Sequence, residues 1–211
     1  MNDLNLKQFG AVPITFNVLE SILKDYSAPK DKIAAMEKDG SLIRLKKGLY
    51  VVSPQLTGLP LSNELIANHL YGISYVSLET ALFFYGLIPE KVYAIRSMTM
   101  KRAKTFDTPC GKFEYIAAPE NYFPIGIKQI SDNNLTYLIA SPEKAICDML
   151  FATSRLRLQS VKAMRQYLQE DLRIDMSIVK NWDIDLVKEI LAAGHKKTEI
   201  TQLMKVIENE K

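Results

Sequence analysis

Six cations fall between residues 30 and 47: Lys30, Lys32, Lys38, Arg44, Lys46 and Lys47. The chemistry open to them is neutralisation of phosphate. Each ammonium or guanidinium that meets a phosphate releases condensed counterions, so the resulting affinity is steeply salt-dependent. Asp31, Glu37 and Asp39 interleave with the cations, which limits one copy to modest affinity and favours paired copies or paired sites. A solvated mixed-charge helix face uses the same residue types, and so does a small module that binds another protein. Both readings stay open on the local sequence.

A second basic run, Met100-Lys101-Arg102-Ala103-Lys104, is the densest in the chain. Residues 91–112 carry Lys91, Arg96, Lys101, Arg102, Lys104 and Lys112 against one acid, Asp107. Such an excess suits a second DNA contact through Arg96, Lys101, Arg102 and Lys104, docking of an acidic partner, or a basic strand edge that deters edge-to-edge pairing.

Acid–base and metal chemistry is thinly provided. A divalent-metal nuclease centre would have to be assembled from Glu114, Glu143, Lys144 and Asp148. Glu143 is better explained as a carboxylate in the first turn of a helix, and Asp148, five residues on, leaves its face. His69 and His195 have no nucleophile or carboxylate at an informative spacing. Cys147, beside Ala145, Ile146 and Met149, reads as a small buried hydrophobe. Cys110 lies in a Thr-Pro-Cys-Gly turn; without CxxC spacing the two cysteines read as free thiols and not zinc ligands. Trp182 reads as an anchor for the C-terminal helices. No catalytic residue, metal or cofactor is expected.

The elements that must position these cations follow from periodicity and punctuation. Residues 3–9 read as a short helix ended by Gly10 and Pro13. From a Thr15 cap, Phe16, Leu19, Leu23 and Tyr26 recur as the stripe of an amphipathic helix, and that helix ends near Lys24. Pro29 suits the first position of a second helix with Ile33 and Met36 inward, and Gly40 suits its left-handed stop. Leu42–Leu45 and Leu49–Val52 then read as strands around a turn relaxed by Gly48. Helix, turn, helix and hairpin is the order of a winged helix-turn-helix, whose second helix enters the major groove while the hairpin lies along the backbone.

Beyond Ser53-Pro54 the turn formers of residues 55–61 read as a linker. Helices are expected from Ser62 to about Leu70, from Ser77 to Tyr85-Gly86, and from a Ser141-Pro142-Glu143 start to Phe151. Val92–Met100, Gly111–Ala118 and Leu135–Ala140 suggest a small, mainly antiparallel sheet. Leu158–Asp171, Ile184–Ala193 and Lys197–Glu208 continue as helices. The expected class is α+β, with a winged helix-turn-helix over 1–54, a linker over 55–61, and a second domain over 62–211 whose part beyond 152 is helical.

Three motifs in this order carry a family resemblance. G-S-L-I-R-L-K-K-G-L-Y, with Gly40, Leu42, Arg44, Gly48 and Tyr50, resembles the wing of the AbiEi-type antitoxins. Y-V-S-L-E-T-A-L-F-F-Y-G-L-I-P (75–89) is similar to that family's serine-started helix with its glycine-leucine turn. S-P-E-K-A-I-C-D-M-L (141–150) is similar to its S-P-E-x-A-x-x-D-x-L helix. The resemblance covers residues 15–151. It implies a bacterial transcriptional regulator with a DNA-binding winged N-terminus that represses its own operon at inverted repeats. It further implies an antitoxin domain that counteracts a nucleotidyltransferase-like toxin, type IV fashion, without requiring a stable complex.

Composition permits this and decides little. At 211 residues and 47% hydrophobic, the chain can bury substantial cores, and a net charge of +3 requires any polyanion contact to be local. With no leader-like start and no long apolar run, a cytoplasmic, non-enzymatic protein is expected, whose partner is double-stranded operator DNA, bound by a dimer if copies pair. The alternatives are a winged protein-interaction module without DNA binding and, behind it, the metal-dependent nuclease.

Overall fold

The computed structural model describes residues 6–90, 92–132 and 135–210. It begins with a 3-10 turn, Leu6–Phe9; residues 3–5 of the expected first helix lie outside the described residues. Next come β1 (Ile14–Thr15), α1 (Phe16–Ile22), α2 (Pro29–Lys38), β2 (Leu42–Lys46) and β3 (Leu49–Val52). Pro29 stands in the first turn of α2, where its fixed φ is pre-set for a helix and its missing N–H costs nothing. Ile33 and Met36 are the buried residues of that helix.

The β2–β3 turn needs Gly48, whose φ of +82° is the left-handed region that glycine enters without a Cβ clash. A bulge sits just before it. Arg44 pairs with Tyr50 and Lys46 with Leu49, so two residues of β2 oppose one of β3. Such an insertion re-aims the side chains around it.

Strand order is β1-β3-β2, antiparallel throughout. The central strand β3 is buried along its whole length, because its alternating side chains serve two cores. Tyr50 and Val52 join Leu19, Leu23, Ile33, Met36 and Leu42 under the helices. Leu49 and Val51, with Leu45 of β2, join the core of the rest of the chain. Removing such a side chain from water contributes on the order of 1.5–3 kcal/mol. Only the turn of the hairpin therefore projects.

The stretch after the hairpin contains a short helix, α3 (Pro54–Thr57), capped by the Ser53 hydroxyl, which accepts from the Gln55 N–H at 3.3 Å. The remaining elements are α4 (Asn63–Leu70), β4 (Ser74–Val76), α5 (Leu78–Phe84), β5 (Ala94–Thr99), β6 (Lys104–Thr108), β7 (Gly111–Ala117), β8 (Ile127–Asp132), β9 (Leu135–Ala140), α6 (Pro142–Ala152), α7 (Val161–Gln166), a π turn (Tyr167–Asp171), α8 (Met176–Val179), α9 (Ile184–Ala192) and α10 (Lys197–Glu210). The chain is α+β.

The large sheet has the order β6-β7-β5-β4-β9-β8. It is more mixed than expected: β4 runs parallel to β9 and β5 to β7, and the other three pairings are antiparallel. Sequence alternation does not reveal β4, β6 and β8. The first is three residues long, and the other two are edge strands with largely exposed polar residues. Among the described residues no helix is long and apolar enough to cross a membrane.

Candidate nucleic-acid interface

Lys30, Arg44 and Lys47 line one groove of about 610 Å³, together with Thr15, Phe16, Asn17, Gly48 and Tyr50. Three parts of the fold converge there: the start of α1, the first turn of α2, and the hairpin. Tyr50 is buried and pairs with Ile14 on one side and Arg44 on the other. The guanidinium of Arg44 stands 3.7 Å from the Glu37 carboxylate, half-exposed, so most of its donor fork stays available. The Thr15 hydroxyl makes no capping bond although Thr15 precedes α1, and Asn17 is exposed. Cation placement points to this groove from sequence. Thr15 and Asn17 are polar donors that charge counting misses, and their only signal is adjacency to the helix start.

The other cations of α2 divide by face. Lys30, Ala34 and Lys38 fall one turn apart and are exposed, opposite Ile33 and Met36. Lys32 is half-buried, with its ammonium 5.7 Å from the centre of the Tyr26 ring. A helix face with one alanine between two lysines lets a backbone approach closely and leaves the cations at its ends.

Lys46, expected beside Lys47, is separated from it. Its ammonium donates to the Leu70 carbonyl at the end of α4 and lies 5.9 Å from the Phe106 ring centre on β6. Burial, and then the charges of Lys101 and Lys104, hold its pKa below the usual lysine value. The bulge between Arg44 and Lys46 supplies the change of direction.

The second basic run also divides. Arg96 on β5 is neutralised, with Nη1 at 2.7 and 2.6 Å from the two carboxylate oxygens of Glu79 and Nε 3.7 Å from Glu114. Lys112 lies 3.3 Å from Glu114. Lys101, Arg102 and Lys104 are exposed at the β5–β6 turn. Lys91 lies outside the described residues.

Glu143, Lys144 and Asp148, three of the groups weighed for a metal centre, all lie buried in the fold. Glu143 is buried and accepts the Asp183 N–H at 3.0 Å, which ties α6 to the start of α9. Lys144 and Asp148, one turn apart on α6, are both fully buried with Nζ and Oδ1 3.3 Å apart. Lys144 donates to the Tyr122 carbonyl at 3.0 Å, and its ammonium stands 3.2 Å from the Tyr122 ring centre. Asp148 accepts from Tyr122 at 2.7 Å and from Ser77 at 2.5 Å. Burial pushes the Asp148 carboxyl up and the Lys144 ammonium down, and each partner's charge opposes the shift in the other. The Ser77 hydroxyl is thus spent on Asp148 and does not cap α5.

Cys147 is fully buried, and desolvation raises its thiol pKa, which leaves it inert. Burial likewise raises Cys110. Trp182 is buried in the large core between α8 and α9. Among the described residues no three of His, Cys, Asp and Glu gather to hold a metal ion. No protein-family model matches the chain, and a search of curated proteins returns no relative.

Proposed function

We propose that the chain is a DNA-binding transcriptional regulator of the AbiEi antitoxin type, whose N-terminal winged helix-turn-helix grips operator DNA. The observation that carries this reading is the convergence of Lys30, Arg44 and Lys47 on one groove between α1, α2 and the hairpin turn. The strand order β1-β3-β2 around two helices supports the winged assignment. In this reading Lys30, Ala34 and Lys38 face the major groove, and Arg44 and Lys47 neutralise backbone phosphates. The phosphate contacts set register, while choice of sequence falls to α2.

The antitoxin role rests on the resemblance of the three motifs. It assigns the region after the hairpin to opposing a nucleotidyltransferase-like toxin without a stable complex, with repression of the protein's own operon and cytoplasmic residence following from the same likeness. The test is a reporter fused to the DNA upstream of the protein's own gene. Expression of the chain should repress it, and Lys30→Ala with Lys47→Ala should relieve repression. A reporter that stays equally active with and without the chain would contradict DNA binding, whatever the outcome of a toxin-rescue assay.

A further inference from the structure

Lys46 and, from the β5–β6 turn far along the sequence, Lys101 and Lys104 converge on two touching rings. The Tyr71 and Phe106 centroids are 5.4 Å apart. Lys104 lies 4.7 Å from the Phe106 centroid and 5.6 Å from that of Tyr71, Lys101 lies 5.4 Å from Tyr71, and Lys46 lies 5.9 Å from Phe106. Gly72 leaves the space that the end of Lys101 fills, since a Cβ there would collide with it. Among the described residues no carboxylate pairs with any of the three.

Ring faces attract ammonium groups and help to hold them in place, but they do not cancel charge. Three like charges collected without a counter-charge repel one another, and Lys46 is partly desolvated as well. An edge strand that merely needed protection from pairing would be served by lysines spread into solvent. These converge, and each ammonium carries three donors, of which the Leu70 carbonyl takes only one from Lys46.

We propose that Lys46, Lys101 and Lys104 form a phosphate-binding site at the junction of the hairpin turn with β6, separate from the groove of Lys30, Arg44 and Lys47. The ligand chemistry is a phosphate oxyanion, supplied either by a DNA backbone running past the hairpin or by a free phosphate compound. The site goes beyond the DNA-binding reading, because it needs only phosphate oxygens.

The experiment titrates the full chain with inorganic pyrophosphate by calorimetry and with upstream duplex DNA across salt. It compares wild type, Lys101→Ala/Lys104→Ala, and Lys30→Ala/Lys47→Ala. Pyrophosphate affinity should fall at least tenfold in the first double variant and hold within twofold in the second. If the phosphate is DNA's, the slope of log K against log salt should also drop by roughly 2 in the Lys101/Lys104 variant, about 0.9 for each lost contact. If it belongs to a free compound, pyrophosphate binding is lost with that slope intact, and the site still stands. Undetectable pyrophosphate binding to wild type, or affinity unchanged in Lys101→Ala/Lys104→Ala, would overturn it. Failure of all variants and wild type to bind DNA would sink the DNA-binding reading alone.

Discussion

Lys46 and Lys47 are adjacent in the chain and serve different parts of the molecule. Lys47 lines the groove with Lys30 and Arg44, whereas the Lys46 ammonium donates to the Leu70 carbonyl and sits over Phe106. As neighbours on an extended chain they point to opposite sides, and the bulge after Arg44 takes Lys46 off the Arg44 face. A basic turn that looks like one phosphate contact in sequence therefore divides its charge between the groove and the body of the fold.

Lys46 should titrate below an ordinary lysine. Its depressed pKa means that the folded state holds the proton less tightly than the unfolded chain. Its contribution to stability therefore rises as pH climbs from the folded pKa toward the unfolded value, and the penalty is fully present below both. Nitrogen-15 NMR of the lysine ammonium groups should find one resonance, lost in Lys46→Arg, that titrates early. Lys101→Ala/Lys104→Ala should move that midpoint upward, and an unmoved midpoint would remove the electrostatic link among the three.

Lys144 and Asp148 should behave as one unit. Asp148→Asn leaves the Lys144 ammonium buried without its counter-charge, and Lys144→Met leaves the carboxylate in the same state. Each should cost about 3–5 kcal/mol in urea unfolding. The double variant Lys144→Met/Asp148→Asn should cost clearly less than the two single losses combined. Strict additivity would show that the pair is not coupled.

Gly126→Ala should be destabilising by about 1–3 kcal/mol. Its φ is +72°, and a Cβ would approach the Lys144 Cβ to 2.8 Å, a contact with the stem of a fully buried side chain. Thermal unfolding checks this; an unchanged midpoint would mean that the turn relaxes freely.

Residues 1–61 on their own should fold poorly. Leu45, Leu49 and Val51 belong to the large core and would be exposed in such a fragment. It should self-associate or lack a cooperative transition. A monomeric, cooperatively folding fragment would contradict the shared role of β3.

The N-terminal elements were legible because their signals are local. Pro29, Gly40 and Gly48 act through φ preferences that neighbouring residues do not override, whereas the expected Thr15 cap makes no capping bond. The direction of Lys46 was not legible, since it depends on a bulge and on Leu70, 24 residues away. The buried pair left a trace that charge reading passed over. Lys144 and Asp148 are four apart in a helix otherwise lined by Ala145, Ile146, Cys147, Met149 and Leu150, and a salt bridge at that spacing inside an apolar stretch signals a buried ion pair. Strand β4 lies beyond local reading, because three residues show no periodicity and its pairing is set by β5 and β9.

The central claim, that Arg44 and Lys47 hold DNA phosphates beside a helix whose Lys30 and Lys38 face the major groove, is tested most directly by the salt dependence of binding to the upstream duplex, followed by fluorescence anisotropy. Arg44→Ala and Lys47→Ala should each lower the slope of log K against log salt by about 1, equally on upstream and scrambled sequences, as phosphate contacts do. Lys38→Ala should instead narrow the gap between the two sequences. No measurable binding, or a slope that Arg44→Ala and Lys47→Ala leave unchanged, would contradict the account.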